Sequence, residues 1–180
     1  MKVNLNNGSL NEQRKTVEVI ICGKEHIIEY ENISQGIIKS IYDIESKETF
    51  ETNYERGRLE LIKLGGRYFL NDLSPTEDNY LPKRIYDFES ETWFETEFQS
   101  GFLSLCEKNG YIFIEDISYI KVKRIYDFAS EKWHSTQYDY LNIVTNIDGE
   151  VFIYDEKWPC ARRVYDLKEK KWDNTLIYLN

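Results

Sequence analysis

Acidic, aromatic and basic side chains recur in a fixed order along this chain, and that order is the place to look for chemistry. Carboxylates stand at Glu31, Asp72, Asp116 and Asp155, and bases follow each at Lys39, Lys83 with Arg84, Lys123 with Arg124, and Arg162 with Arg163. Between acid and base lie Tyr80, Tyr119 and Trp158. Acids and bases arranged this way can pair across a solvated loop, where an ion pair contributes about 0–1 kcal/mol. They can also frame a binding face, because Arg, Tyr and Trp are the usual anchors of protein interfaces. The candidate binding residues are therefore Tyr80, Tyr119, Trp158, Arg84, Arg124, Arg163, Asp72, Asp116 and Asp155.

Catalytic constellations are absent from the sequence. Its two histidines, His26 and His134, fall at non-equivalent places, which argues against a Ser-His-Asp or Cys-His arrangement. There is no Gly-rich phosphate loop, no His-Glu-x-x-His and no Cys-x-x-Cys. Carboxylates are abundant but have no EF-hand spacing, so no metal is expected, and no cofactor or enzyme activity is expected either. A formal charge of −9 excludes the basic footprint of a nucleic-acid binder and favours a partner with a basic surface or a neutral ligand.

Cys22, Cys106 and Cys160 form no disulfide framework and are expected as small buried side chains in a reducing cytoplasm. Met1 to Gly8 lacks the apolar stretch of a signal peptide, and no apolar run is long enough to span a bilayer, so no membrane association is expected.

The elements that must hold these residues come from a repeat. Ser40-Ile41-Tyr42-Asp43, Arg84-Ile85-Tyr86-Asp87, Arg124-Ile125-Tyr126-Asp127 and Arg163-Val164-Tyr165-Asp166 repeat one word at spacings of 44, 40 and 39 residues. Beyond the last three words come Trp93, Trp133 and Trp172, then Thr96, Thr136 and Thr175; the first copy has Thr49 at the Trp position and keeps Thr52. Alternating apolar residues on either side of Gly65-Gly66, Asn109-Gly110 and Asp148-Gly149 predict β-hairpins with type I′ turns, with a looser version at Cys22-Gly23. A third strand ends in the Tyr-Asp word and a short fourth begins at the Trp. The Asp is expected to cap the turn between them, and the Tyr to pack between repeats.

Four antiparallel strands per unit of about forty residues predict an all-β fold, a four-bladed β-propeller built from four tandem repeats. The blades would cover about 17–57, 58–101, 102–140 and 141–180, with residues 1–16 as an N-terminal arm able to add a strand to the last blade. A linear stack would need polar end caps, and none is evident in the sequence. The pattern of apolar strand, Gly turn, apolar strand, polar loop, Ile-Tyr-Asp and Trp resembles the Kelch-type propeller blade, without the glycine pair that usually ends its second strand. That resemblance implies a scaffold that serves both enzymes and adaptors. The leading expectation is a non-catalytic protein-binding module, monomeric or homodimeric, using one propeller face. Its alternatives are an acidic inhibitor or immunity protein that blocks a basic nucleic-acid-binding enzyme, and a glycan-binding lectin or weak glycosidase.

Overall fold

A computed structural model describes residues 15–77, 79–174 and 177–178. Residues 1–14 of the expected arm, Asp78 of the second repeat's loop and Thr175 of the Trp–Thr pattern lie outside it. The described chain is all-β. The first repeat comprises β1 (Lys15–Ile21), β2 (Lys24–Asn32), β3 (Ile37–Asp43) and β4 (Thr49–Glu51). The second comprises β5 (Arg58–Leu64), β6 (Arg67–Pro75), β7 (Tyr80–Asp87) and β8 (Thr92–Glu95). The third has β9 (Phe102–Lys108), β10 (Tyr111–Ser118), β11 (Lys121–Asp127) and β12 (Lys132–Ser135), and the fourth β13 (Tyr140–Thr145), β14 (Val151–Lys157), β15 (Cys160–Asp166) and β16 (Lys171–Asp173). A two-residue strand, β17 (Ile177–Tyr178), pairs with β15. Among the described residues no helix is long and apolar enough to cross a membrane.

Within each repeat the four strands pair antiparallel in chain order. Cys22-Gly23, Gly65-Gly66 and Asn109-Gly110 all have positive φ at both residues, as a type I′ turn requires. The expectation at Asp148-Gly149 is corrected, since only Gly149 has positive φ there. That hairpin closes as a wider loop, with the Gly149 amide donating to Asn146 O and the Asn146 amide to Glu150 O. The Asn146 carboxamide competes for the turn: Oδ1 accepts from the Asp148 and Glu150 amides and stabilises the wider form.

The Asp of each repeated word caps the turn between third and fourth strands. Asp43 accepts from the amides of Glu45 and Ser46, Asp87 from Glu89 and Ser90, Asp127 from Ala129, and Asp166 from Lys168 and Glu169. Each turn ends on a residue in the left-handed region, Lys47, Glu91, Glu131 and Lys170. Four copies of one capped turn set the register in which the Tyr of the word faces the Trp or Thr of the fourth strand.

The chain divides into two compact units, Met1–Glu95 and Thr96–Asn180. In the N-terminal unit the first two repeats share a sheet through an Ile38–Leu59 pairing, and a core of Ile28, Ile41, Phe50, Leu70, Tyr86 and Phe88 lies between them. In the C-terminal unit Phe113, Ile125, Ile143, Ile153 and Tyr165 form the corresponding core. The word's Tyr packs on the preceding repeat's fourth strand in both units: Tyr86 on Phe50 at 4.7 Å between ring centroids, Tyr165 on His134 at 4.1 Å.

Candidate functional site

Six of the nine candidate residues are consumed by a latch that recurs in the second, third and fourth repeats. In the third repeat the fully buried Asp116 accepts from Arg124 Nε at 3.0 Å and Nη2 at 2.6 Å, from Thr96 Oγ1 at 2.6 Å, and from the Glu97 amide at 3.2 Å. Asp72 binds Arg84, Thr52 and the Asn53 amide in the same way, and Asp155 binds Arg163, Thr136 and the Gln137 amide. Each Arg also lies over its repeat's Trp: Arg84 on Trp93 at 4.1 Å, Arg124 on Trp133 at 4.2 Å and Arg163 on Trp172 at 4.1 Å. The Thr and amide lie on the segment entering the repeat from the one before it, so the latch fixes that segment to the sheet. Gly101 closes it sterically, since a Cβ there would lie 2.7 Å from Thr96 Oγ1 and 2.8 Å from the carbonyl of Ile117.

The structure thus places Asp72, Asp116, Asp155, Arg84, Arg124 and Arg163 in the latch rather than on an open loop face. Their polar atoms face one another beneath the surface, and a carboxylate satisfied by a bidentate Arg, a hydroxyl and an amide has nothing left to offer a ligand. In the first repeat, strand register places Glu29 and Ser40 where the other repeats have Asp and Arg, so Glu31 is not the equivalent acid. Glu29 pairs instead with the more exposed Lys39 at 3.1 Å.

The three aromatics part company. Tyr80 begins β7, half-buried, with the Arg58 guanidinium 4.1 Å above its ring. Ser74 and Pro75 belong to β6, which confines the long connection of the second repeat to residues 76–79. Tyr119 and Trp158 stand in solvent at 82% and 79% exposure, joined by Ile120 at 95%, which the sequence reading missed. Tyr119 and Ile120 form the two-residue turn between β10 and β11 with φ of 50° and 61°. Trp158 and Pro159, linked by a cis peptide bond, form the turn between β14 and β15.

These turns join second to third strands in consecutive repeats of the C-terminal unit, and the residues beneath them are tied together. Lys121, next to Ile120, bonds Asp139 at 2.5 Å and lies 5.7 Å from the Tyr140 ring, while Tyr140 pairs across the sheet with Glu156, two residues before Trp158. The hydrogen bond to Glu156, with burial and the charge of Glu156, pushes the Tyr140 phenol up to about 12. The Lys121 ammonium holds the Asp139 carboxyl below its usual range, with Lys123 adding to the effect. Lys157 and Arg162 are exposed on the flank of the Trp158 turn. The tips thus present apolar side chains from a rigid base with cationic surroundings.

Backbone conformation makes the Tyr119-Ile120 turn unusual. A left-handed residue other than Gly costs roughly 1–2 kcal/mol, and for a β-branched residue the conformation is an outlier. Asn-Gly or Gly-Gly would close the same turn without that cost, as Asn109-Gly110 and Gly65-Gly66 do elsewhere in the chain. Among the described residues no cluster of three His, Cys, Asp or Glu side chains is arranged to hold a metal ion.

No protein-family model matches the chain, and no curated protein does. Among solved structures it is similar to "Dihydro-heme d1 dehydrogenase NirN in complex with DHE", at 11% identity and a TM-score of 0.37. The alignment covers 91% of this chain and 37% of that one, so the chain spans little more than a third of its length. A likeness at this level supports no argument about activity, and the Kelch resemblance rests on the repeat residues alone.

Proposed function

We propose that the chain is a non-catalytic protein-binding module, its repeats the blades of a small propeller-type scaffold, and that Tyr119, Ile120 and Trp158 are its contact residues. The observation that carries this reading is the Tyr119-Ile120 turn: two large apolar side chains are held in solvent on a strained backbone. Such strain persists where something other than folding selects it. Exposed aromatic side chains on stiff turns lose little entropy when they are buried in a partner. With Lys157 and Arg162 on the flank, the complementary surface is an apolar recess rimmed by carboxylates.

The test separates function from fold by replacing the turn with Asn-Gly, as the double variant Tyr119→Asn/Ile120→Gly. This variant should be more stable than the wild type by about 1 kcal/mol or more and should lose a partner captured from the native host. Trp158→Ala should lose the same partner, whereas Ile147→Ala, at a fully exposed residue of another turn, should retain it. Capture that survives both tip variants would overturn the assignment. So would retention on anionic vesicles abolished by the same changes, since a lipid surface would then be the target.

A further inference from the structure

A cleft of about 420 Å³ opens within the N-terminal unit, between β4 of the first repeat and the Arg84–Trp93 stack of the second. Phe50 and Trp93, with ring centroids 6.5 Å apart, form its apolar lining. Asn53 and Arg84 form one wall, and the backbone of β4 with Glu48 and Glu51 forms the other. Among the described residues β4 pairs with β3 on one side only, which leaves its outer edge open.

The cationic wall is spent. Arg84 directs Nε and Nη2 at Asp72, and Asn53, with its amide oxygen turned towards the guanidinium, accepts from Nη1 at 2.6 Å and Nη2 at 3.2 Å. Arg84 also covers one face of Trp93. Glu48 and Glu51 are both exposed, and among the described residues neither carboxylate has an ion-pair or hydrogen-bond partner. The charge of Glu48 is felt nearby: burial, Glu91 and Glu48 together push the Tyr86 phenol up to about 12. Register places Lys132 and Ser135 at the corresponding positions of the third repeat. One chain therefore carries an acidic version of this cleft in one unit and lacks it in the other.

We propose that this cleft binds the cationic end of a basic side chain on an extended peptide, its aliphatic stem on Phe50 and Trp93 and its charge between Glu48 and Glu51. Lys and Arg side chains suit such a place because their methylene stems bury readily on apolar surface while the head keeps its counter-charge. The open edge of β4 provides backbone groups on which an extended segment can align. This site is independent of the Tyr119 turn, and either assignment can fail alone.

The test uses acetyl-Gly-Arg-Gly-amide, its Lys counterpart and its norleucine counterpart, followed by the indole N–H resonance of Trp93. The Arg and Lys peptides should shift that resonance saturably, the norleucine peptide should not, and the ratio of the two responses distinguishes guanidinium from ammonium recognition. Glu48→Gln/Glu51→Gln should weaken the response about tenfold, and raising salt from about 0.05 to about 0.5 M should weaken it further. Lys132→Glu/Ser135→Glu should make Trp172 respond as Trp93 does. A Trp93 resonance indifferent to all three peptides, or one whose shift survives the double Gln change, would overturn the proposal.

Discussion

Replacing Asp116 by Ala removes the acceptor of four hydrogen bonds at once and leaves Arg124 buried beside Trp133. Removing one partner of a buried ion pair costs about 3–5 kcal/mol, largely because the remaining charge loses its compensation. Arg124 retains a contact to Glu97, whose side chain is well exposed, so the cost should lie near the lower end, about 3 kcal/mol. Set against the roughly 5–15 kcal/mol that stabilises an ordinary domain, this loss is large. Thr96→Val provides a milder probe, giving up the charge-assisted hydrogen bond to Asp116, about 1.5–3 kcal/mol, and the one that Thr96 Oγ1 accepts from the Phe98 amide, with the Asp–Arg pair intact.

The chain contains its own control. Glu29 occupies the register position of Asp116 but pairs with a half-exposed Lys39 and accepts a long, 3.3 Å hydrogen bond from Ser40, so Glu29→Ala should cost only about 1 kcal/mol. Urea titrations followed by far-ultraviolet circular dichroism would rank the variants, with the order Asp116→Ala, Thr96→Val, Glu29→Ala. Asp72→Ala and Asp155→Ala should fall with the first. Equal losses at Glu29 and Asp116, or an Asp116→Ala variant within about 1 kcal/mol of the wild type, would refute the latch as a source of stability.

His134 supplies a pH dependence: burial lowers its pKa, Lys132 and Arg163 act in the same direction, and Asp127 opposes them. The unfolded chain then binds more protons as pH falls below the ordinary histidine value of about 6.5, so this residue makes stability decline on acidification. Among the described residues its buried Nε2 has no hydrogen-bond partner, and equivalent positions hold Phe50 and Phe94. His134→Phe should therefore stabilise the protein by about 1–3 kcal/mol and flatten this part of the profile in denaturation series from neutral to mildly acidic pH. Cys106, its thiol pushed up to about 12 by burial and Glu115, and Cys160, 4% exposed, should resist iodoacetamide until the protein unfolds, while Cys22 reacts first; mass spectrometry of labelled peptides checks the order. Gly101→Ala should destabilise by about 1–3 kcal/mol through its clash with Thr96 and the Ile117 carbonyl, readable as a lowered melting temperature.

The repeat, the strand order and the capping role of the word's Asp are legible from residue types, because turns and strand alternation are local. The function of Asp72, Asp116 and Asp155 is not local. Each is separated from its Thr by 19 or 20 residues, and only the fold shows that an acid at the end of a second strand is sealed in. Register also corrected Glu31 to Glu29, since bulges in β2 displace the face on which an acid points. Asp148-Gly149 misled because turn preference was read from two residues when Asn146 also binds the loop. Ile120 could have been found: an apolar β-branched residue in a polar connection, with no Gly or Asn beside it, is already anomalous.

What the first repeat lacks forms a single structural change. Glu29, Ser40 and Thr49 replace the latch's Asp, Arg and Trp, and cross-strand pairs place all three on one sheet face. On the same face Thr16 and Glu18 are exposed where the second repeat has the buried Leu59 and half-buried Leu61. An Arg kept without its Asp would be an uncompensated charge, and a Trp kept without its Arg an exposed ring, so the three residues are expected to change together. The first repeat therefore presents a polar face where the second presents an apolar one. The change that makes its face hydrophilic also places Thr49 on the β4 wall where a Trp would otherwise stand, and the acidic cleft lies along that wall.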